Sequence, residues 1–430
     1  MMTAGAALLC ICGTTMAAPA QPTFCEVTQI ANAAVQGQGV GAPIPGFELL
    51  LIHKGRVVYQ RAFGAWSVGR VGAADSATKT ISGAVIMSVV DSTAGLFSLN
   101  RPLSVYLPSF TGDKAGITVG QAFSHSSGLP ANALAVNIPN LTLQQAANQI
   151  AGQPLQYAPG QGFLYGGASM HAAGAAAEVA SGLLWNDLYA QRIAGPLGMT
   201  QTRYVISSAT NPRIAGGCES NAEEFARFME MLRKGGVHNG VRVLSESAVN
   251  AMFTRQSPVG VPVLSTPYPG VSDYGVGVWL DQRDEQGRLI GALAAGARGF
   301  SCWIDFDDEI VGCVATDLSA SADVITMVNL MRPAAEREVR NAPCSPADVG
   351  DDAGDPMGPC ASFRSNTGVN EGDYNAFING FFIRANWSDI AFDNGDPLPP
   401  FGETPDAGVN NGVNEGDYNC FFNNFFLACP

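Results

Sequence analysis

Apolar positions change period several times along this chain, and the changes mark its elements. Residues 23–36 carry apolar residues at helical spacing. Residues 46–53 and 56–63 are two strand-like runs flanking Lys54-Gly55, which predicts a β-hairpin. Gly72-Ala73-Ala74 breaks the second run, and apolar residues at 81, 84, 85 and 89 then predict a buried helix with Asp75 as its N-cap. Residues 103–108 end in a turn, and 121–130 read as an apolar helix end running into a loop. From 141 to 200 the chain is helical and alanine-rich, interrupted at 159–167, with 168–181 as one helix. Residues 222–234 and 245–253 are amphipathic helices. Strands resume at 274–280, and 300–304 with 310–315 predict a hairpin around Asp307-Asp308. Residues 324–340 close as a helix containing Pro333.

Strands at both ends with helices between them predict an α+β domain over 24–341. Its antiparallel sheet takes strands from both termini around a helical subdomain. Residues 342–365, rich in Pro, Gly, Ala and Asp, read as a linker. An internal repeat follows over 366–430. Gly368 to Asn375 recurs 44 residues later as Gly412 to Asn419, each copy trailed by aromatic residues at helical spacing. Asn370 and Asn414 fit as N-caps with an acid at the third helical position. Two like aromatic faces predict a paired-helix module.

Charge adds a partition. The net charge is −14 over 430 residues, and residues 341–430 hold 13 acids against two arginines. The acidity belongs to the tail, which argues against nucleic acid as a partner. Residues 1–20 are a short apolar run followed by small residues, fit for cleavage after Ala18 or Ala20, and read as a secretory signal. No other stretch is long and apolar enough to span a membrane. Setting Cys10 and Cys12 aside leaves eight of the ten cysteines, an even number that suits an exported, oxidised protein, secreted or held in the periplasm or at the cell surface. Two-residue hairpin geometry at Asp307-Asp308 puts Cys302 directly opposite Cys313, close enough for a disulfide to be considered.

Candidate chemistry centres on Ser76-Ala77-Thr78-Lys79. Ser76 and Lys79 are three apart and share a helix face. A desolvated lysine there can take the serine proton, and the helix start offers N–H groups to an oxyanion. Of four lysines only Lys79 has a serine three residues before it. His125, before Ser126-Ser127-Gly128, is an alternative base, although histidines at such places more often bond loop backbone.

In this order the motifs resemble the serine β-lactamase-like family of penicillin-recognising enzymes, D-peptidases and related esterases. Ser76-x-x-Lys79 is similar to that family's first motif. Supporting stretches are 123–130, Gly195-Pro196-Leu197-Gly198-Met199, and Gly216-Gly217-Cys218 before a helix. The resemblance implies that Tyr165 of Tyr165-Gly166-Gly167 shares proton transfer with Lys79, its phenolate favoured by the neighbouring cation. It also implies an oxyanion hole from the Ser76 and Ala297 N–H groups. Two places depart from the pattern. Gly167 stands where the family has an amide or hydroxyl that holds the acyl group. Ala294-Ala295-Gly296 stands where an edge strand carries a cationic third motif. Arg298 follows as a displaced cation, so Gly167, Gly296 and Arg298 are the expected substrate contacts.

The resemblance therefore implies an exported serine hydrolase acting on a small ester or peptide through an acyl-enzyme on Ser76, most simply an esterase. A D-alanyl-D-alanine carboxypeptidase or β-lactamase, and a non-catalytic surface binding protein, are the alternatives. No metal or cofactor is implied. The tail resembles the dockerin-like tails of secreted bacterial proteins, which implies binding to a cell-surface component. Ala407 and Val409 stand at loop positions where a calcium-binding tail would carry acids, which speaks against calcium.

Overall fold

A computed structural model describes residues 24–427, apart from 269–270, 319–321, 343–344, 346, 357–367, 386–387, 393, 395–396, 399–409 and 411. The signal-like segment and the loop positions Ala407 and Val409 lie outside the described residues. The chain divides into two compact units. One is 28–333; the other joins 1–27 to 334–430.

The larger unit is built on a six-stranded antiparallel sheet. In chain order its strands are β1 (Gly46–His53), β2 (Arg56–Gly64), β3 (Trp279–Arg283), β4 (Leu289–Ala295), β5 (Ser301–Asp305) and β6 (Ile310–Ala315). Their spatial order is β3-β4-β5-β6-β1-β2. The N-terminal hairpin thus joins the C-terminal strands through the β1–β6 ladder, from Glu48 opposite Ala315 to His53 opposite Ile310. The expected α+β class, with a sheet drawn from both termini, is what forms. β1 is buried along seven of its eight residues, consistent with its unbroken apolar run. Its one buried acid, Glu48, is satisfied by Gln60 Nε2 at 2.8 Å and Gly69 N–H at 2.8 Å.

Two strand expectations shift. The strand placed at 274–280 begins only at Trp279; Tyr274 instead forms an isolated bridge back to Trp279. β4, which carries Ala294 and Ala295, is not an edge strand, because β3 covers it.

Helix α1 (Thr78–Ser92) is buried on every side from Thr78 to Val89. Small residues let backbone approach it. A Cβ on Gly83 would stand 2.3 Å from the Val276 carbonyl. One on Gly277, at φ +79°, would stand 2.1 Å from the Lys79 carbonyl. Thr80 Oγ1 donates to the Gly277 carbonyl at 2.9 Å, so α1 is pinned in rotation and height. Helix α2 (Ala168–Ser181) and the short strands β7 (Arg203–Tyr204) and β8 (Cys218–Ser220) complete the neighbourhood of α1.

Cys302 and Cys313 are directly opposed, as the hairpin count requires, but both are free thiols. Opposed Cβ atoms in a regular ladder sit about 4.5–5.5 Å apart, wider than a disulfide favours. The two side chains share a hydrogen bond instead, and burial pushes the Cys313 thiol well above its ordinary range. Cys25, in the other unit, is disulfide-bonded.

In the smaller unit the repeat forms two matching helices, α3 (Glu371–Ile383) and α4 (Glu415–Phe425). Each begins with a capping box, Asn370 with Asp373 and Asn414 with Asp417. Phe377 and Phe421 stack at 4.0 Å and 5° across the pair. The repeat also reaches upstream of each helix. Asp373 Oδ1 accepts the Val349 and Gly350 N–H groups at 2.7 and 2.8 Å. Asp417 Oδ1 accepts those of Ile390 and Ala391 at 2.6 and 2.8 Å. Ala347 and Val349, expected in a linker, are therefore part of this fold: they share a core with Phe377 and Phe421.

Candidate active site

Ser76 does not start an ordinary capped helix. Asp75 is left-handed, at φ +44°, and opens a single 3₁₀ turn, Asp75–Ala77, that leads into α1. No side chain caps that start, so Asp75 is not the expected N-cap. Its carboxylate is held by Arg298, Nε at 2.9 Å and Nη2 at 3.1 Å, while Arg298 Nη1 reaches Asp317 at 3.1 Å. A left-handed non-glycine residue costs about 1–3 kcal/mol and persists where its surroundings over-determine it. The bidentate pair is that determinant, and it fixes how Ser76 is presented.

One helical turn on, Lys79 Nζ lies 3.0 Å from Ser76 Oγ and donates to the Ala215 carbonyl at 2.7 Å. The amine also stands 4.6 Å from the centre of the Tyr165 ring. Lys79 is 3% exposed. Burial, with Arg213 nearby as the second cause, brings its pKa from 10.5 down to about 7. The Tyr165 phenol is hydrogen-bonded to Ser76, yet burial raises its pKa rather than lowering it. Tyr165 is therefore a protonated phenol at neutral pH, contrary to the expected phenolate. Burial is the leading cause and outweighs the Ser76 hydrogen bond, which acts in the opposite direction.

These groups line a cavity of about 570 Å³ that also takes in Gly167, Arg213 and Ala297. The Ala297 N–H has no hydrogen-bond partner among the described residues. A Cβ on Gly167 would meet the Ala215 Cβ at 3.1 Å, so its absence keeps that wall open. Gly296 is not on the cavity wall. It is buried, and a Cβ there would stand 2.3 Å from the Ala74 carbonyl. Its part is to let the end of β4 meet the backbone that leads into Ser76. Arg298, engaged by two carboxylates, does not line the cavity either; both were expected as substrate contacts.

His125 is buried and left-handed, with its ring 4.4 Å from that of Tyr165. Nδ1 accepts the Gly166 N–H at 3.4 Å, and burial followed by Lys79 holds the imidazole well below its ordinary pKa. It is neutral and braces the loop around Tyr165.

Sequence reasoning missed Arg213. This arginine belongs to the 205–217 loop between β7 and β8 and reaches the cavity from there. The available signal was an arginine inside Pro212-Arg213-Ile214-Ala215-Gly216-Gly217 with no acid within five residues on either side.

A six-stranded antiparallel sheet, a buried central helix and a Ser-Lys-Tyr cluster at that helix's start define the class of penicillin-recognising hydrolases and their relatives. Residues 31–336 match the Beta-lactamase family, and the chain belongs to that family. A candidate β-lactamase from Bacteroides dorei DSM 17855 superposes with a TM-score of 0.62 at 26% identity, covering 72% of this chain and 98% of that one. A family VIII carboxylesterase shares the fold at a TM-score of 0.59 and 17% identity, covering 74% and 99%. Protein flp of Staphylococcus aureus (strain N315) is 25% identical over 176 residues, 37% of this chain. The chain spans about a third of the length of that curated relative, 35%.

Proposed function

We propose that the protein is an exported serine hydrolase, foremost an esterase, that forms an acyl-enzyme on Ser76. The observation that carries this reading is a buried Lys79 amine, with a pKa near 7, 3.0 Å from Ser76 Oγ. In its neutral form the amine accepts the serine proton as Oγ attacks the substrate carbonyl. The Ser76 and Ala297 N–H groups take the developing oxyanion. The Tyr165 phenol, hydrogen-bonded to Ser76, donates to the departing alcohol and is reprotonated from the Lys79 ammonium. Water then enters along the same path, and Ser76 leaves with its proton restored.

Esters are favoured over amides by what the walls lack. Ala294 stands where the family's cation would be, and Gly167 offers no side-chain amide to an acyl group. A lost charge-assisted hydrogen bond from β4 and a lost neutral one together cost roughly 10²–10³-fold in transition-state binding of an amide whose carboxylate must sit against a cation at the β4 position and whose acyl group needs the side-chain amide. A short-chain aryl ester depends on neither. The acidic repeat tail is read as an attachment or sorting module.

The test is Ser76→Ala, assayed with a short-chain aryl ester and with a fluorescent serine-directed phosphonate. Turnover and labelling are both expected to vanish while the melting temperature is retained. Unchanged ester hydrolysis by a clean preparation of that variant would refute the mechanism. Neither labelling nor turnover in the wild type would favour a non-catalytic binding protein on the same fold.

A further inference from the structure

Arg213 is a half-buried cation on the wall of the reactive cavity, and its side chain makes no hydrogen bond or ion pair with any described residue. Other guanidiniums near the sheet and the nucleophile are engaged: Arg298 by Asp75 and Asp317, Arg332 by Asp281, Arg233 by Glu230 and Glu309. Withdrawing a cation partly from water without a partner is unfavourable. A protein tolerates that where a ligand supplies the missing anion.

The loop around Arg213 is held from several directions. Val205 N–H donates to the Gly217 carbonyl at 2.8 Å, and Arg213 N–H to the Ile206 carbonyl at 3.2 Å. Asn211 Oδ1 meets His171 Nε2 at 2.7 Å, while its Nδ2 donates to the Ala135 and Ile138 carbonyls, each at 2.9 Å. The guanidinium is thus carried on a fixed frame rather than on a loose loop. Gly216 then leaves room beside it. The position its Cβ would take is 3.9 Å from Arg213 Nε and 3.6 Å from the Asp75 carbonyl, the residue before the nucleophile. A side chain there would crowd the guanidinium; its absence leaves that side of Arg213 open to an anionic group on a molecule whose carbonyl lies at Ser76.

We propose that Arg213 is the anion subsite of this cavity, and that the preferred substrates are esters bearing a carboxylate. This rests on the hydrolase reading above and adds the substrate class to it. The carboxylate can sit on the acyl part or on the alcohol part, and Arg213 recognises either by the same fork of N–H donors. The cation that the sequence lacks on β4 is thereby supplied from the loop before Gly216.

The experiment compares matched aryl esters: a monoaryl glutarate with its methyl-capped neutral isostere, and an aryl acetate with and without a carboxylate on the aryl ring. Each pair is measured on wild type, Arg213→Gln and Arg213→Lys, with a melting curve as the fold control. Wild type is expected to prefer the carboxylate member of one pair by about 10–100-fold in kcat/KM, the span of one charge-assisted contact. That ratio should fall to near one in Arg213→Gln and recover in part in Arg213→Lys. The pair that shows the preference tells which side of the ester carries the anion. A ratio near one in wild type for both pairs, or a ratio that survives Arg213→Gln, overturns the proposal. The same preference is read as Kd for glutarate monomethyl ester against its dimethyl ester on Ser76→Ala, with and without Arg213→Gln. An Arg213-dependent difference there with no turnover in wild type would keep the subsite and discard the hydrolase; no difference would discard the subsite.

Discussion

If Lys79 is the base, the pH dependence of ester hydrolysis follows from its surroundings. A lysine at 10.5 is neutral in about one molecule in 3,000 at pH 7; at about 7 roughly half of the molecules are neutral. Burial therefore raises the supply of base about 10³-fold. For a neutral aryl ester, kcat/KM should be level above pH 8. It should fall through a single limb near 7, reaching about tenfold per pH unit below 6. Tyr165, held above its ordinary pKa, adds no second limb in that range. Glu178 also sits near 7, through burial, but its carboxylate accepts the Trp185 N–H and does not line the cavity, so Glu178→Gln should leave the limb in place. The sharper test is Arg213→Gln. Arg213 is the second cause of the lowered Lys79 pKa, so its removal must move the limb to higher pH. Stopped assays in a constant-ionic-strength buffer from pH 5 to 9.5, corrected for spontaneous hydrolysis, would measure both. A limb near 10, a flat profile, or a limb that stays put in Arg213→Gln would refute the assignment of Lys79 as base.

Three further outcomes follow. Arg298→Ala should lower kcat for neutral and carboxylated esters alike, because it releases the left-handed Asp75 turn rather than a substrate contact; a selective loss on carboxylated esters would restore Arg298 as a substrate residue. Lys79→Met should alter the pH dependence of stability. The unfolded lysine holds a proton between about 7 and 10.5 that the folded one has lost, so this group's contribution rises as pH rises through that window. Urea titrations of wild type at pH 7 and 9.5 should differ by about 2–3 kcal/mol more than those of Lys79→Met; equal pH dependence in the two proteins would count against a buried, depressed lysine. In the tail, Asp417→Ala leaves the Ile390, Ala391 and Asn414 amides without their acceptor, a cost of about 2–4 kcal/mol. Hydrogen exchange should then speed up over 415–425, and unchanged protection there would refute the cap's role.

Local rules carried the sequence reading a long way. The hairpin around Lys54-Gly55, the opposed register of Cys302 and Cys313, and the capping boxes at Asn370 and Asn414 are all short-range consequences of turn chemistry and spacing. The Ser76–Lys79 pairing was equally legible, since a spacing of three puts both side chains on one side of a helical turn. Tertiary structure decided what depends on partners distant in sequence. Arg298 lies 223 residues from Asp75. Their pairing turns an expected N-cap into a left-handed clamp and removes an expected substrate cation. The Tyr165 proton depends on how deeply the phenol is buried, which no spacing reports. Arg213 reaches the cavity only because the 205–217 loop is tied to His171 and to the 135–138 carbonyls. Short-range spacing determined that Ser76 and Lys79 stand side by side; long-range packing determined how Ser76 is presented, the protonation of Lys79 and Tyr165 and which cation lines the cavity, because desolvation and ion pairing are properties of the assembled surroundings.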